Sequence, residues 1–175
     1  MEVLDAIRRK RAVRAYTERP LPPDIVEGIL YAGRRAQSSK NRQPWHFIAL
    51  QDRSTIDELA TLGDFTGPLK TAALVVALVT PDPTDSWWVM FDAGQAASYM
   101  QLAALEMGVA SCIVSLHRPQ GAGALLGFPD DLRCHVVLSF GYPQDPSAFD
   151  PPRPREGRRA PSEVIHYERF GHHES

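Results

Sequence analysis

The chain has 175 residues, 43% of them apolar and 23% charged, with a net charge of −2. That length and balance suit one soluble domain with a sizeable core. They argue against a general polyanion binder, so no nucleic-acid partner is expected and any basic cluster must serve a local anion.

In chain order, Val3, Leu4 and Ile7 predict a short amphipathic helix running into the basic cluster Arg8-Arg9-Lys10-Arg11-Ala12-Val13-Arg14. Residues 17–23 hold three prolines and read as an extended connector. Asp24 opens a helix with Ile25, Ile29 and Ala32-Gly33 at helical spacing, and Arg34 and Arg35 suit the negative end of its dipole. A polar loop over 37–44 leads into a strand over 45–51. Asp52 caps a helix reaching about Leu62. The β-branched run 72–79 predicts a strand buried on both faces.

Residues 87–107 predict a long helix, apolar almost all round and so central to the core or to a subunit interface. Asp92, Gln95, Gln101 and Glu106 interrupt it, so it does not read as a membrane span. Gly108 ends it, and 109–115 reads as a strand. A short helix begins at 119–123, and a further strand over 133–140 leaves through Gly141-Tyr142-Pro143. Six of the fifteen prolines fall between 143 and 161, so 143–175 is expected to be an extended arm of the single domain 1–175. Ser162–Tyr167 is a candidate edge strand. The pattern is α+β, with four or five strands and four or five helices.

No nucleophile elbow, zinc spacing, phosphate-cradling Gly-rich loop or dinucleotide fingerprint is present, so no metal and no side-chain redox group is expected. Cys112 and Cys134 sit in apolar surroundings and read as free buried thiols. With no apolar leader core in residues 1–5, they set the expectation of a cytoplasmic protein. Lys10, Arg11 and Arg14 are candidate anion ligands, although such a segment alone is more often a solvated helix end. Ser38, Asn41 and Gln43 offer hydroxyl and amide groups suited to a polyol chain or ring edge, or to ordinary turn chemistry. Arg158 and Arg159 form a third cationic pair, which alone reads as a solvated tail.

Taken in order, these segments resemble the nitroreductase family. The basic element is similar to that family's Arg-Arg-Ser-x-Arg motif. Residues 38–45, Ser-Ser-Lys-Asn-Arg-Gln-Pro-Trp, are similar to its Ser-x-x-Asn-x-Gln-Pro-Trp loop. Asp92-Ala93-Gly94, Met107-Gly108-Val109, Gly141-Tyr142-Pro143 and the ending Arg158-Arg159 to Glu163-Val164-Ile165-His166 follow in the family's order over about 165 residues.

The resemblance implies a mostly antiparallel sheet of four or five strands surrounded by helices, in an intertwined homodimer. It implies FMN as cofactor and NADH or NADPH as donor. Flavin N5 would carry hydride by a ping-pong mechanism to a small acceptor, whether nitroaromatic, quinone or enone. Lys10 and Arg159, with Arg158, would neutralise the FMN phosphate beside Arg11 and Ala12. Arg14 would sit at the ring edge that gains charge on reduction. Arg35, Ser38, Ser39, Asn41 and Gln43 would reach the flavin of the other subunit. Ile113, Val114 and Ser115 would back the ring. Lys10 stands where the family has Arg, Ala12 where it has Ser, and Gln37 where it has Pro, so weaker FMN binding is expected. The alternatives are other flavin chemistry on the same fold, such as reductive dehalogenation or flavin breakdown, and a non-catalytic regulatory ligand binder.

Overall fold

A computed structural model describes residues 1–150 and 158–173. In chain order the helices are α1 (Val3–Arg9), α2 (Pro23–Arg34), α3 (Arg53–Ala60), α4 (Trp88–Glu106), α5 (Pro119–Leu126) and α6 (Pro161–Val164). The strands are β1 (His46–Leu50), β2 (Leu74–Pro81), β3 (Ala110–Ser115) and β4 (Leu132–Gly141). They form one antiparallel sheet in the order β1-β2-β4-β3.

The interior strand β2 owes its place to its run of apolar side chains, which alternate between two cores. Leu74, Val76 and Leu78 pack with α2 and α4, whereas Val75, Ala77 and Val79 pack with α3, α5 and Tyr16. The sheet is thus sandwiched between two helical layers. Met100 of α4 is fully buried, as is Ile29 of α2. Each such side chain contributes about 1.5–3 kcal/mol of hydrophobic stabilisation. A Cβ on Gly33 would lie 2.2 Å from Met100 Cε, so the Met100 side chain packs into the space that Gly33 leaves between α2 and α4. Asp52 caps α3, accepting from Thr55 N–H at 2.8 Å.

Two expectations change. Ser162–Tyr167 is not an edge strand: Pro161–Val164 forms a single helical turn, started by a proline at its first position and closed by Glu163 Oε2 accepting from Ala160 N–H at 2.8 Å. The arm is not wholly extended either, because Pro146–Phe149 is a 3₁₀ turn that Asp145 caps. The prolines of 151–154 lie outside the described residues. The long helix is central, as its composition predicts, but it buries one side and leaves apolar side chains on the other. Phe91 is 68% exposed and Tyr99 40%. Among the described residues, no helix is long and apolar enough to cross a membrane.

Candidate active site

The basic segment is laid as a ribbon along the free edge of β3. Val13 N–H donates to the Ser111 carbonyl at 3.0 Å, and Thr17 N–H to the Tyr142 carbonyl at 2.9 Å. Ala12 forms a parallel bridge with Ser111. Tyr16 anchors the ribbon from beneath: its buried hydroxyl donates to the Val13 carbonyl at 2.7 Å and lies 2.8 Å from Ser139 Oγ. Burial raises the Tyr16 phenol far above its ordinary value, so it stays neutral. A Cβ on Gly141 would lie 2.7 Å from Tyr16 Cβ, so this contact requires glycine.

The ribbon turns Arg14 into a cleft of about 520 Å³ that Ile113, Val114 and Ser115 also line. Ser111 presents its carbonyl outward to Val13, so by strand alternation Ile113 and Ser115 present their backbone groups on that same edge. Val114 instead turns its side chain into the core, and the same alternation turns its backbone groups toward β4. Lys10 and Arg11 lie on the other side of the ribbon, in a narrow depression against Gln101 and Ser111. Burial lowers the Lys10 pKa from its ordinary value of 10.5. Burial likewise raises the Cys112 thiol. Arg11 donates to the Asp150 carbonyl. Neither Lys10 nor Arg14 has a carboxylate partner among the described residues.

The polar loop is held in an unusual backbone shape. Lys40, Asn41 and Gln43 have φ of 52°, 55° and 50°. Three left-handed non-glycine residues in four positions persist only where contacts enforce them, and such strain gathers at ligand sites. Ser38 Oγ accepts from Gln43 N–H at 2.9 Å, and Gln43 Nε2 donates to Asn41 Oδ1 at 3.2 Å. Arg42 lies 5.0 Å over the Trp88 ring. Arg35 caps the end of α2, with its side chain exposed. Ser39 and Asn41 are exposed as well.

Within one chain the predicted residues do not meet. Arg14 and Ile113–Ser115 share the 520 Å³ cleft, whereas Gln43 lines a separate apolar cleft of about 860 Å³ between α2 and β1, with Tyr31, Trp45 and Phe47. Arg158 and Arg159 are exposed near α6, where Arg159 Nη2 donates to the Glu163 carbonyl at 3.0 Å. Sequence reasoning missed Phe65, Gly67, Pro68, Cys112 and His117, all of which line the Arg14 cleft. The Gly-Pro turn at 67–68 marks a loop beside Phe65, but nothing local says which strand that loop reaches.

The nitroreductase family model matches residues 7–64 and 64–142. An Archaeoglobus fulgidus protein with the provisional name NADH dehydrogenase/NAD(P)H nitroreductase is 32% identical over 158 residues, covering 85% of this chain and 89% of that protein. An iodotyrosine deiodinase from Thermotoga neapolitana is 26% identical, covering 81% of this chain and 89% of that one. The fold matches that of an FMN-dependent nitroreductase from Clostridium difficile with a TM-score of 0.85, at 22% identity, over 96% of this chain and all 100% of that one. The ribbon, the strained loop, the four-stranded sheet and the family match agree: this chain belongs to the nitroreductase family.

Proposed function

We propose that this nitroreductase-family oxidoreductase, FMN-dependent and NAD(P)H-linked as its family is, passes hydride to a small electron-poor acceptor by a ping-pong mechanism. The observation that carries the reading is the pair of cations, Lys10 and Arg14, which have no carboxylate partner among the described residues and lie by a strand edge with outward backbone groups. Two cations beside backbone N–H groups fit a dianionic phosphate at one end and an electron-rich ring edge at the other. When bound, FMN would supply the redox chemistry, hydride transfer through flavin N5. Lys10, with Arg158 and Arg159, would hold the phosphate beside Arg11 and Ala12. Arg14 would favour the reduced charge state, and the backbone of Ile113 and Ser115 would fix the ring edge.

A homodimer sharing its sites completes the reading. Gln43 lines a different cleft from Arg14 and no other residue of the loop lines the Arg14 cleft, so Arg35, Ser38, Ser39, Asn41 and Gln43 would serve the partner's flavin. Apolar surface supports it: Val3, Ile7 and Phe91 are 69%, 56% and 68% exposed on α1 and α4, and Phe170 is 92% exposed on the arm. The likeness to a deiodinase supports a second reading, in which the acceptor is a halogenated aromatic and halide leaves.

Initial rates against varied NADH and a quinone separate the possibilities. Parallel double-reciprocal lines are expected. Intersecting lines overturn the ping-pong mechanism. Halide release from a halophenol, without nitro or quinone turnover, favours the second reading.

A further inference from the structure

We propose that His117 is the hydrogen-bond donor that receives the acceptor's oxygen, so the acceptor is a planar ring carrying an oxygen, seated against Phe65; this rests on the flavin reading above. His117 lies just past the end of β3 and lines the same cleft as Arg14. Asp64 N–H donates to His117 Nδ1 at 3.1 Å. A nitrogen that accepts carries no proton, so the neutral ring bears its proton on Nε2, which has no partner among the described residues.

The geometry is built in advance. His117 and Arg118 N–H both donate to the Leu62 carbonyl at 3.0 Å, stapling the 61–67 loop to the strand end. A Cβ on Gly63 would lie 2.8 Å from the Ser115 carbonyl, so only glycine lets the loop approach this far. Arg118 pairs with Asp64 at 3.3 Å, and Asp64 Oδ2 lies 3.8 Å from His117 Nδ1. Phe65 meets the imidazole edge-on with centroids 5.8 Å apart and is 78% exposed. An apolar ring left that open beside a free imidazole donor matches a planar ring that carries an oxygen, such as an aromatic carboxylate, nitro group or quinone.

The test uses the flavin-loaded protein with 4-nitrobenzoate as acceptor, benzoate as inert ligand and ferricyanide as an acceptor that needs no ring site. In His117→Phe the benzoate Kd should rise roughly tenfold, and the 4-nitrobenzoate KM should rise similarly with little change in kcat. The ferricyanide rate per bound flavin should fall far less than the 4-nitrobenzoate kcat/KM, and His117→Gln, which keeps a donor, should recover most of the loss. His117 is 42% exposed, so His117→Ala is a second donor-free variant that should keep the fold. Unchanged benzoate Kd and 4-nitrobenzoate KM in both donor-free variants, with ferricyanide reduction intact, overturn the role of His117 alone. A wild type that holds no flavin overturns the flavin reading, and this inference with it.

Discussion

The backbone N–H of Ser39 donates at 2.9 Å to the carboxylate of Asp92, which is buried within α4, so the strained loop hangs from the central helix. Hydrogen bonds to charged acceptors contribute about 1.5–3 kcal/mol. Asp92→Ala should therefore lower stability by about that amount and release Lys40, Asn41 and Gln43 from their left-handed shapes. FMN affinity should fall with it, whereas Asp92→Asn, which keeps an acceptor oxygen, should lose less. Chemical denaturation and an FMN titration measure the two effects. An Asp92→Ala protein with wild-type FMN affinity would detach the loop from the site.

Burial holds the Lys10 pKa below 10.5 in the free protein. Between the folded value and the ordinary one, the unfolded chain binds more protons. Lys10 therefore lowers stability at neutral pH, and that penalty fades as pH rises through the window. A bound phosphate favours the charged form, so FMN affinity should decline as pH climbs through the lowered Lys10 pKa. Lys10→Arg keeps its charge and should flatten the decline. FMN titrations across alkaline pH check this, and equal declines in both proteins would remove Lys10 from the phosphate site.

Ala12 is exposed and bridges Ser111 through its backbone alone, so Ala12→Ser adds a hydroxyl without crowding a core. If the phosphate lies beside residues 10–14, FMN should bind several-fold to about tenfold tighter, a gain of about 0.5–1.5 kcal/mol. Unchanged affinity would move the phosphate elsewhere.

Phe91→Asp places a charge in the exposed apolar stripe of α4. Sedimentation should show wild type as a dimer and this variant as a monomer at micromolar concentration. FMN affinity should fall together with the dimer if, as proposed, each site draws residues from two chains. A monomeric variant that keeps full FMN affinity contradicts the shared site.

The local signals that the sequence carries are those of single segments. The apolar run at 72–79 reports a strand buried on both faces, and β2 is that strand. Asp52 reports its cap, and the Gln-Pro-Trp corner its loop. What was not legible depends on long-range packing. Phe65 and His117 are 52 positions apart and meet only because Gly63 lets one loop dock at the end of β3. The left-handed run at 40–43 was invisible too, since Lys40 and Gln43 have no preference for that conformation and tertiary contacts impose it. At 162–167 the expected edge strand gives way to a helical turn, which Pro161 starts.

The most direct test of the account is the visible absorption spectrum of the purified protein with one equivalent of FMN, before and after anaerobic NADH. The account requires FMN to remain with the protein through gel filtration, with perturbed flavin bands that bleach on NADH addition. A colourless protein that retains no FMN would contradict it.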